Sequence, residues 1–130
     1  MKTILLIEDN AEILENLIEY LELEGYSVLF ANNGREGVEI AEKLAPDLII
    51  CDIYMSEMNG HEVLQLILDS KASEVPFIFS TSNSETVDRD EALALGADDY
   101  IIKPFELESL LLMSKKWIKL GSGRHRQSKQ

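Results

Sequence analysis

The sequence is poor in the residues that mark secreted, membrane-spanning or nucleic-acid-binding proteins. It has a single cysteine, Cys51, which excludes a disulfide within the chain. Because Cys51 lies inside an apolar run, we predict a small buried side chain without a redox role. No stretch approaches the roughly 20 consecutive apolar residues of a membrane span, and the N-terminus lacks the pattern of a signal peptide. We therefore expect a soluble, cytoplasmic protein.

Basic residues are also scarce. The 130 residues include 12 lysines and arginines against 24 aspartates and glutamates, which gives a net charge of -12. This charge argues against direct binding of the domain to nucleic acid phosphates. Three basic residues, Arg124, Arg126 and Lys129, fall in the last ten positions, which contain no acid. We expect one domain over residues 1–120, and a basic, disordered tail or the start of a linker over residues 121–130.

Short apolar runs alternate along the chain with segments of helical period. This alternation predicts an α/β fold in which helices cover both faces of a doubly wound, five-stranded parallel sheet. The expected strands are residues 4–7, 27–31, 47–51, 77–80 and 99–102.

Helix boundaries and inward faces follow from capping residues and periodicity. Asn10 is expected to cap the first helix, and Ser82 and Glu85 have the spacing of a capping box before the fourth. The last helix is expected to begin at Phe105. The residues expected to face the core are Val38, Ala41 and Leu44 in the second helix, and Leu107, Leu110, Leu111, Trp117 and Ile118 in the last.

Four expected strands end in a charged or hydroxyl residue. Glu8 and Asp9 follow the first strand, Asp52 the third, Thr81 the fourth and Lys103 the fifth. Because the carboxyl ends of parallel strands meet at one edge of a sheet, where ligands bind in such folds, we expect these side chains to converge. Each residue alone has an ordinary structural interpretation, such as a helix cap, a turn residue or an exposed lysine. The four together are much harder to explain by chance.

The chemistry of this set indicates phosphoryl transfer. Three ionised carboxylates cannot lie close together without a cation, and oxygen ligands in a partly open site suit Mg²⁺. Asp52 would then be the nucleophile that forms an aspartyl phosphate, while Thr81 and Lys103 bind the phosphoryl oxygens. Such a modification draws two loops inward and supplies a switch rather than a turnover enzyme.

These residues lie in motifs that resemble the receiver domain of two-component response regulators over roughly residues 2–119. The resemblance implies a flavodoxin-like (βα)5 receiver fold whose phosphoryl donor is a histidine kinase or a histidine phosphotransfer protein. The motifs are Ile-Leu-Leu-Ile-Glu8-Asp9-Asn, Ile-Ile-Cys-Asp52-Ile-Tyr-Met-Ser-Glu-Met-Asn59-Gly60, Phe-Ile-Phe-Ser-Thr81-Ser and Gly96-Ala-Asp-Asp-Tyr100-Ile-Ile-Lys103-Pro104-Phe105.

The resemblance also implies specific roles for residues of the site. Mg²⁺, or Mn²⁺ in its place, would be bound by Asp9, Asp52 and the backbone carbonyl of Tyr54, with Glu8 acting through a water molecule. The bond between Lys103 and Pro104 would be cis.

The same resemblance implies how the signal leaves the domain. Tyr100 would rotate between exposed and buried positions as Thr81 moves. The surface made by the fourth helix, fifth strand and fifth helix would then dimerise or bind an effector. Tyr54 and Asn83 lie where receivers differ in phosphoryl lifetime, and here they predict slow loss of the phosphoryl group.

One position departs from the family pattern. Ser56 stands where receivers usually have proline, so the loop after Asp52 keeps a backbone donor and more conformational freedom.

Two other classes of protein fit the sequence less well. A phosphatase with an aspartyl-phosphate intermediate needs a second acid two residues after the nucleophile, where Tyr54 stands. A flavodoxin-like cofactor binder needs a phosphate-binding loop after the first strand, where Glu8 and Asp9 would repel a phosphate. Within the receiver class, the sequence leaves open a complete regulator or a module of a longer protein with a C-terminal output domain.

Overall fold

The computed structural model describes residues 1–82 and 89–122, which form five strands and five helices in strict alternation. The α/β prediction is therefore confirmed. In chain order the elements are β1 (Thr3–Ile7), α1 (Ala11–Leu23), β2 (Ser27–Ala31), α2 (Gly34–Leu44), β3 (Leu48–Asp52), α3 (Gly60–Leu68), β4 (Phe77–Thr81), α4 (Arg89–Ala94), β5 (Asp99–Ile102) and α5 (Leu107–Leu120).

All strand pairs are parallel, in the order β2-β1-β3-β4-β5. The chain therefore moves outward from β1 to β2, and then returns to place β3 on the other side of β1. Loops diverge at such a reversal and leave a crevice at the carboxyl ends of β1 and β3. Glu8 and Asp52 lie at these two strand ends.

Alternate residues of each strand pack on opposite faces of the sheet. Ile4, Leu6, Ile50 and Ile78 belong to a core cluster with residues of α1 and α5, here named the α1/α5 face. Their neighbours in sequence pack with α2 and α3, here named the α2/α3 face. This buried sheet fixes the direction of every side chain at its edges.

Several local predictions can be compared with the structure. The Asn10 side chain caps α1 by accepting the Ile13 N–H at 3.0 Å, as predicted. The predicted burial of Leu44 is wrong, because α2 ends there and leaves it 57% exposed. The start of α5 at Phe105 is also wrong. The helix begins at Leu107, and the expectation that Leu107 faces the core is wrong too, because its side chain is exposed in the first turn.

Some expectations fall on residues outside the described ranges. The capping box of Ser82 and Glu85 and the role of Asn83 depend on residues 83–88, and most of the basic tail lies in residues 123–130. Within the described ranges, no helix has both the length and the apolar character needed to cross a membrane. Cys51 is fully buried, as predicted, and burial raises the pKa of its thiol.

Aspartates close the amino edge of the sheet. Asp47 accepts the Thr3 N–H at 2.8 Å, and Asp98 accepts the Phe77 N–H at 2.8 Å. The buried Asp99 accepts the indole N–H of Trp117 at 3.0 Å, which joins β5 to the end of α5. These carboxylates satisfy donors that the strand ends and α5 would otherwise bury unpaired.

Candidate functional site

The predicted residues lie at the carboxyl edge of the sheet. Glu8 directly follows β1, Asp52 ends β3, Thr81 ends β4 and Lys103 directly follows β5. The ammonium of Lys103 lies 2.5 Å from Glu8 Oε1 and 3.7 Å from Asp52 Oδ2. The structure thus brings one cation and two carboxylates into a single cluster.

Strand alternation explains why these three side chains meet. Glu8 and Asp52 each stand two residues beyond a residue of the α1/α5 face, namely Leu6 and Ile50. Lys103 stands two residues beyond Ile101, which belongs to the same cluster. Because β5 and β1 are separated by β4 and β3, the lysine side chain must cross two strand ends to reach Glu8. It therefore covers the end of β3, where Asp52 lies.

Crowding of carboxylates changes the acidity of Asp52. Glu8, Asp9 and Asp52 can each place one oxygen within 4.8 Å of the others. Glu8 and Asp52 are buried, whereas Asp9 is exposed. Burial first, and then the nearby Glu8 carboxylate, raise the pKa of Asp52 to about 6, although the Lys103 ammonium opposes the shift.

These three residues fit a divalent cation. Asp52 Oδ1 is a buried acceptor that no hydrogen bond satisfies within residues 1–82 and 89–122. Three carboxylates carry more negative charge than one lysine neutralises, and hard oxygen donors are the preferred ligands of Mg²⁺. Tyr54, whose backbone carbonyl is the fourth expected ligand, lies two residues beyond Asp52 in the loop to α3.

The loop after Asp52 uses the backbone donor that serine retains. The Ser56 N–H points to Asp9 Oδ2 at 3.4 Å, and a proline at this position has no such donor. The Ser56 carbonyl accepts the Met58 N–H at 2.8 Å across Glu57, which has a φ of 69°. This tight turn brings the loop against the acidic cluster.

Gly60 allows the start of α3 to lie close to the backbone of Asp52, a role that the sequence did not reveal. A Cβ atom on this residue would lie 2.5 Å from the Asp52 carbonyl oxygen and 2.8 Å from Ile53 Cα. The N-terminus of α3 is fixed there by a capping box between Asn59 and Glu62, whose spacing is visible in the sequence. A side chain at position 60 would push α3 away from the backbone of Asp52.

Thr81 and Tyr100 occupy the other side of the sheet. By strand alternation, Thr81 shares the α2/α3 face with Phe77 and Phe79, and its side chain is buried. Tyr100 is partly buried against the same cluster. The Thr81 carbonyl accepts the Lys103 N–H at 2.6 Å, so the two loops are joined through their backbones.

An apolar groove opens beside the cluster. It encloses about 540 Å³ and is lined on one side by Ile13, Asn16 and Leu17 of α1. The other side is formed by Ser82, Lys103, Pro104, Phe105 and Leu107, and the bond between Lys103 and Pro104 is cis.

Comparison with known proteins gives a consistent result. The family model described as "Response regulator receiver domain" matches residues 4–115. The chain is similar to ycf27 of Porphyra purpurea, described as a probable transcriptional regulator, with 39% identity over 82% of this chain and 43% of that protein. It is also similar to the transcriptional regulatory protein DltR of Streptococcus agalactiae, with 40% identity over 83% of this chain and 48% of DltR. The chain thus spans less than half the length of these relatives.

Solved structures agree with this similarity. The chemotaxis protein CheY4 of Vibrio cholerae superposes with a TM-score of 0.81 at 30% identity, covering 89% of this chain and 98% of CheY4.

Proposed function

Because the chain belongs to the response regulator receiver domain family, we propose that Asp52 accepts a phosphoryl group from the phosphohistidine of a histidine kinase or a histidine phosphotransfer protein. A receiver is a signalling domain, and we assign it no turnover reaction beyond its own phosphorylation and dephosphorylation. One observation carries the assignment to Asp52. Its buried carboxylate has an oxygen without a hydrogen-bond partner among the described residues, and it lies close to a lysine and two further carboxylates.

The transfer needs little from the protein except orientation and charge. An oxygen of the Asp52 carboxylate attacks phosphorus, the P–N bond to the donor histidine breaks, and the electron pair returns to the imidazole nitrogen. Lys103 is close enough to Asp52 to stabilise negative charge on the phosphoryl oxygens.

A divalent cation, Mg²⁺ or Mn²⁺, completes this site in our proposal. Glu8, Asp9, Asp52 and the Tyr54 carbonyl would hold it, with Glu8 acting through a water molecule. When bound, it neutralises negative charge on the transferring group.

The donor approaches through the groove between α1 and the segment after β5. This groove is apolar and reaches Lys103, which also contacts Asp52. The exposed residues of α1 include Glu12, Glu15 and Glu19 and no basic residue. We therefore propose a donor helix that inserts an apolar side chain into the groove and places basic residues opposite these glutamates.

Phosphorylation would change the surface made by α4, β5 and α5. In this proposal the phosphoryl oxygens compete with Glu8 for the Lys103 ammonium and attract the Thr81 hydroxyl. Tyr100, on the same face as Thr81, would adjust its side chain in response. The altered surface would bind a second copy of the chain or a downstream protein.

The domain organisation and location are also proposals. Residues 1–120 would be the receiver, and residues 121–130 would lead to an output domain, because the curated relatives are more than twice as long as the matched segment. We propose a cytoplasmic regulator in which contacts with DNA are left to the output domain. The receiver itself has a net charge of the wrong sign for that role.

Calorimetry with Mg²⁺ and the phosphoryl analogue beryllofluoride tests the proposed site. We expect the analogue to bind only with Mg²⁺ present, and Asp52→Asn to abolish binding. Asp99→Asn is the matched control, because Asp99 is buried at the opposite edge of the sheet. Sedimentation of the same samples detects dimerisation. Analogue binding without Asp52, or none by the wild-type protein, would refute the assignment.

A further inference from the structure

Ser80 is a buried hydroxyl that the proposed function does not use. It precedes Thr81 in β4, and only 2% of its surface is exposed. Its Oγ has no hydrogen-bond partner in the described part of the chain, and the same holds for Asp52 Oδ1. A buried polar atom without a partner is rare, because its desolvation is not compensated. One of these two atoms belongs to the proposed phosphoacceptor and the other lies on the neighbouring strand, which calls for a common explanation.

The two residues are direct neighbours in the sheet. Asp52 and Ser80 are paired Cα partners of the parallel strands β3 and β4. Each stands two residues beyond an isoleucine of the α1/α5 face, Ile50 or Ile78. Both side chains therefore lie at the same level on the same face. Neighbouring strands are about 4.8 Å apart, which is within reach of a serine hydroxyl that rotates about its Cα–Cβ bond.

We infer that Ser80 is a further residue of the phosphoacceptor site, and that its hydroxyl, after rotation about the Cα–Cβ bond from the rotamer in this structure, donates a hydrogen bond to Oδ1 of Asp52. A hydroxyl carries one donor, and an ionised carboxylate offers about four acceptor positions, so this bond and a metal ligand can share the carboxylate. The inference rests on the proposed function of Asp52 and concerns how long the phosphoryl group lasts.

The hydrogen bond favours the free carboxylate over the aspartyl phosphate. In hydrolysis, a water oxygen attacks phosphorus, the P–O bond to Asp52 breaks, and its electron pair returns to the carboxylate. Both hydrogens of the water leave with inorganic phosphate. Ser80 would stabilise the charge that develops on Asp52 and would therefore shorten the phosphoryl lifetime.

Three variants separate this role from ordinary packing. Ser80→Ala removes the hydroxyl, and Ser80→Thr retains it. Ser114→Ala is the matched control, because Ser114 is a fully buried serine of α5 whose hydroxyl donates to the Leu110 carbonyl. After phosphorylation with phosphoramidate, we expect the phosphoryl lifetime of Ser80→Ala to be about three to ten times that of the wild type. The lifetimes of the Thr variant and the Ser114 variant should stay near the wild-type value.

A second measurement requires neither metal nor phosphate. Thermal unfolding in EDTA is compared for Ser80→Ala, Asp52→Ala and the double variant. If Ser80 donates to Asp52, Ser80→Ala lowers Tm by about 3 °C or more in the wild-type background and has no such effect in Asp52→Ala. Equal changes in both backgrounds, or an unchanged or shorter lifetime in Ser80→Ala, would overturn the inference. Failure of the wild type to become phosphorylated would instead refute the proposed function and leave the unfolding test intact.

Discussion

Aspartate side chains occupy both edges of the sheet, but their partners differ. At the amino edge, Asp47, Asp98 and Asp99 accept hydrogen bonds from backbone or indole N–H groups. At the carboxyl edge, Asp52 faces other carboxylates and a lysine, and one of its oxygens accepts no hydrogen bond from the described part of the chain. Burial alone therefore does not distinguish a structural aspartate from the proposed phosphoacceptor. The hydrogen-bond and charge partners distinguish them. N–H donors stabilise the negative charge of an aspartate, whereas neighbouring carboxylates destabilise it.

The largest expected effect is on phosphorylation, which should depend on Asp52 at the carboxyl edge and hardly on Asp99 at the amino edge. Asp52→Asn removes the proposed nucleophile, and we expect roughly a 100-fold or greater loss of phosphoryl incorporation from acetyl phosphate with Mg²⁺. Asp99→Asn should stay within about threefold of the wild type, because Asp99 lies at the opposite edge. Electrophoresis on a phosphate-binding gel measures both. Similar losses in the two variants would contradict the comparison.

Alanine substitutions at two glycines, one at each edge of the sheet, should lower the free energy of unfolding by different amounts. Gly60→Ala places a methyl group against the Asp52 backbone, and we expect it to lower the free energy of unfolding by about 3 kcal/mol. Gly25, after α1 at the amino edge, has a φ of 97°, and no atom of the described residues lies within 4 Å of the added methyl. Gly25→Ala should cost only the backbone strain, about 1 kcal/mol. Urea unfolding measures both losses. The Gly25 variant would show the larger loss if α3 could shift freely.

The metal-free stability should depend on pH through Asp52. Its pKa is raised to about 6 in the folded protein from the ordinary aspartate value of 3.8, chiefly by burial and then by the Glu8 carboxylate. The folded state therefore binds more protons than the unfolded state between these values, and stability falls as pH rises from about 4 to about 6. The full loss is about 3 kcal/mol. Urea unfolding in EDTA should show this loss in the wild type and in Asp99→Asn. If the Asp52→Asn variant showed the same loss of stability with rising pH, the pH dependence would belong to another group.

Loss of the Trp117 indole N–H at the amino edge should lower the stability of the fold. Trp117→Phe keeps most of the apolar packing but leaves Asp99 Oδ2 without the indole donor. We expect the free energy of unfolding to fall by about 1–2 kcal/mol, with phosphorylation nearly unchanged. Thermal unfolding together with the phosphorylation assay measures this. A large loss of phosphorylation would show that the two edges are coupled.

The smallest effect concerns Ser56 and the metal. Ser56→Pro deletes the N–H that points to Asp9, whereas Ser56→Ala retains it. We expect the proline variant to bind Mg²⁺ about threefold more weakly, because an outer hydrogen bond orients a ligating carboxylate. The alanine variant should bind like the wild type. Calorimetry measures both affinities. Equal affinities would show that the Ser56 N–H does not contribute to Mg²⁺ binding.

Much of the fold was predictable because the five apolar runs and their intervening helical periods are local patterns. The strand-end positions of Glu8, Asp52, Thr81 and Lys103 followed from the same patterns. Leu44 was misassigned because periodicity does not show that a helix has ended.

The remaining features depend on pairing between strands and loops distant in sequence. The position of Ser80 beside Asp52 requires the register of β3 and β4, and the need for glycine at position 60 requires the approach of α3 to β3. Lys103 was expected to face the phosphoryl group, and its contact with Glu8 became visible only in the folded chain.

The most direct test of the central claim is to locate the phosphoryl group. The wild-type chain is incubated with phosphoramidate and Mg²⁺, reduced with borohydride, which converts an aspartyl phosphate to homoserine, and digested for tandem mass spectrometry. We expect homoserine at position 52 and no homoserine when Mg²⁺ is omitted. Homoserine at Asp9, Asp99 or another acid, or none at any position, would contradict it.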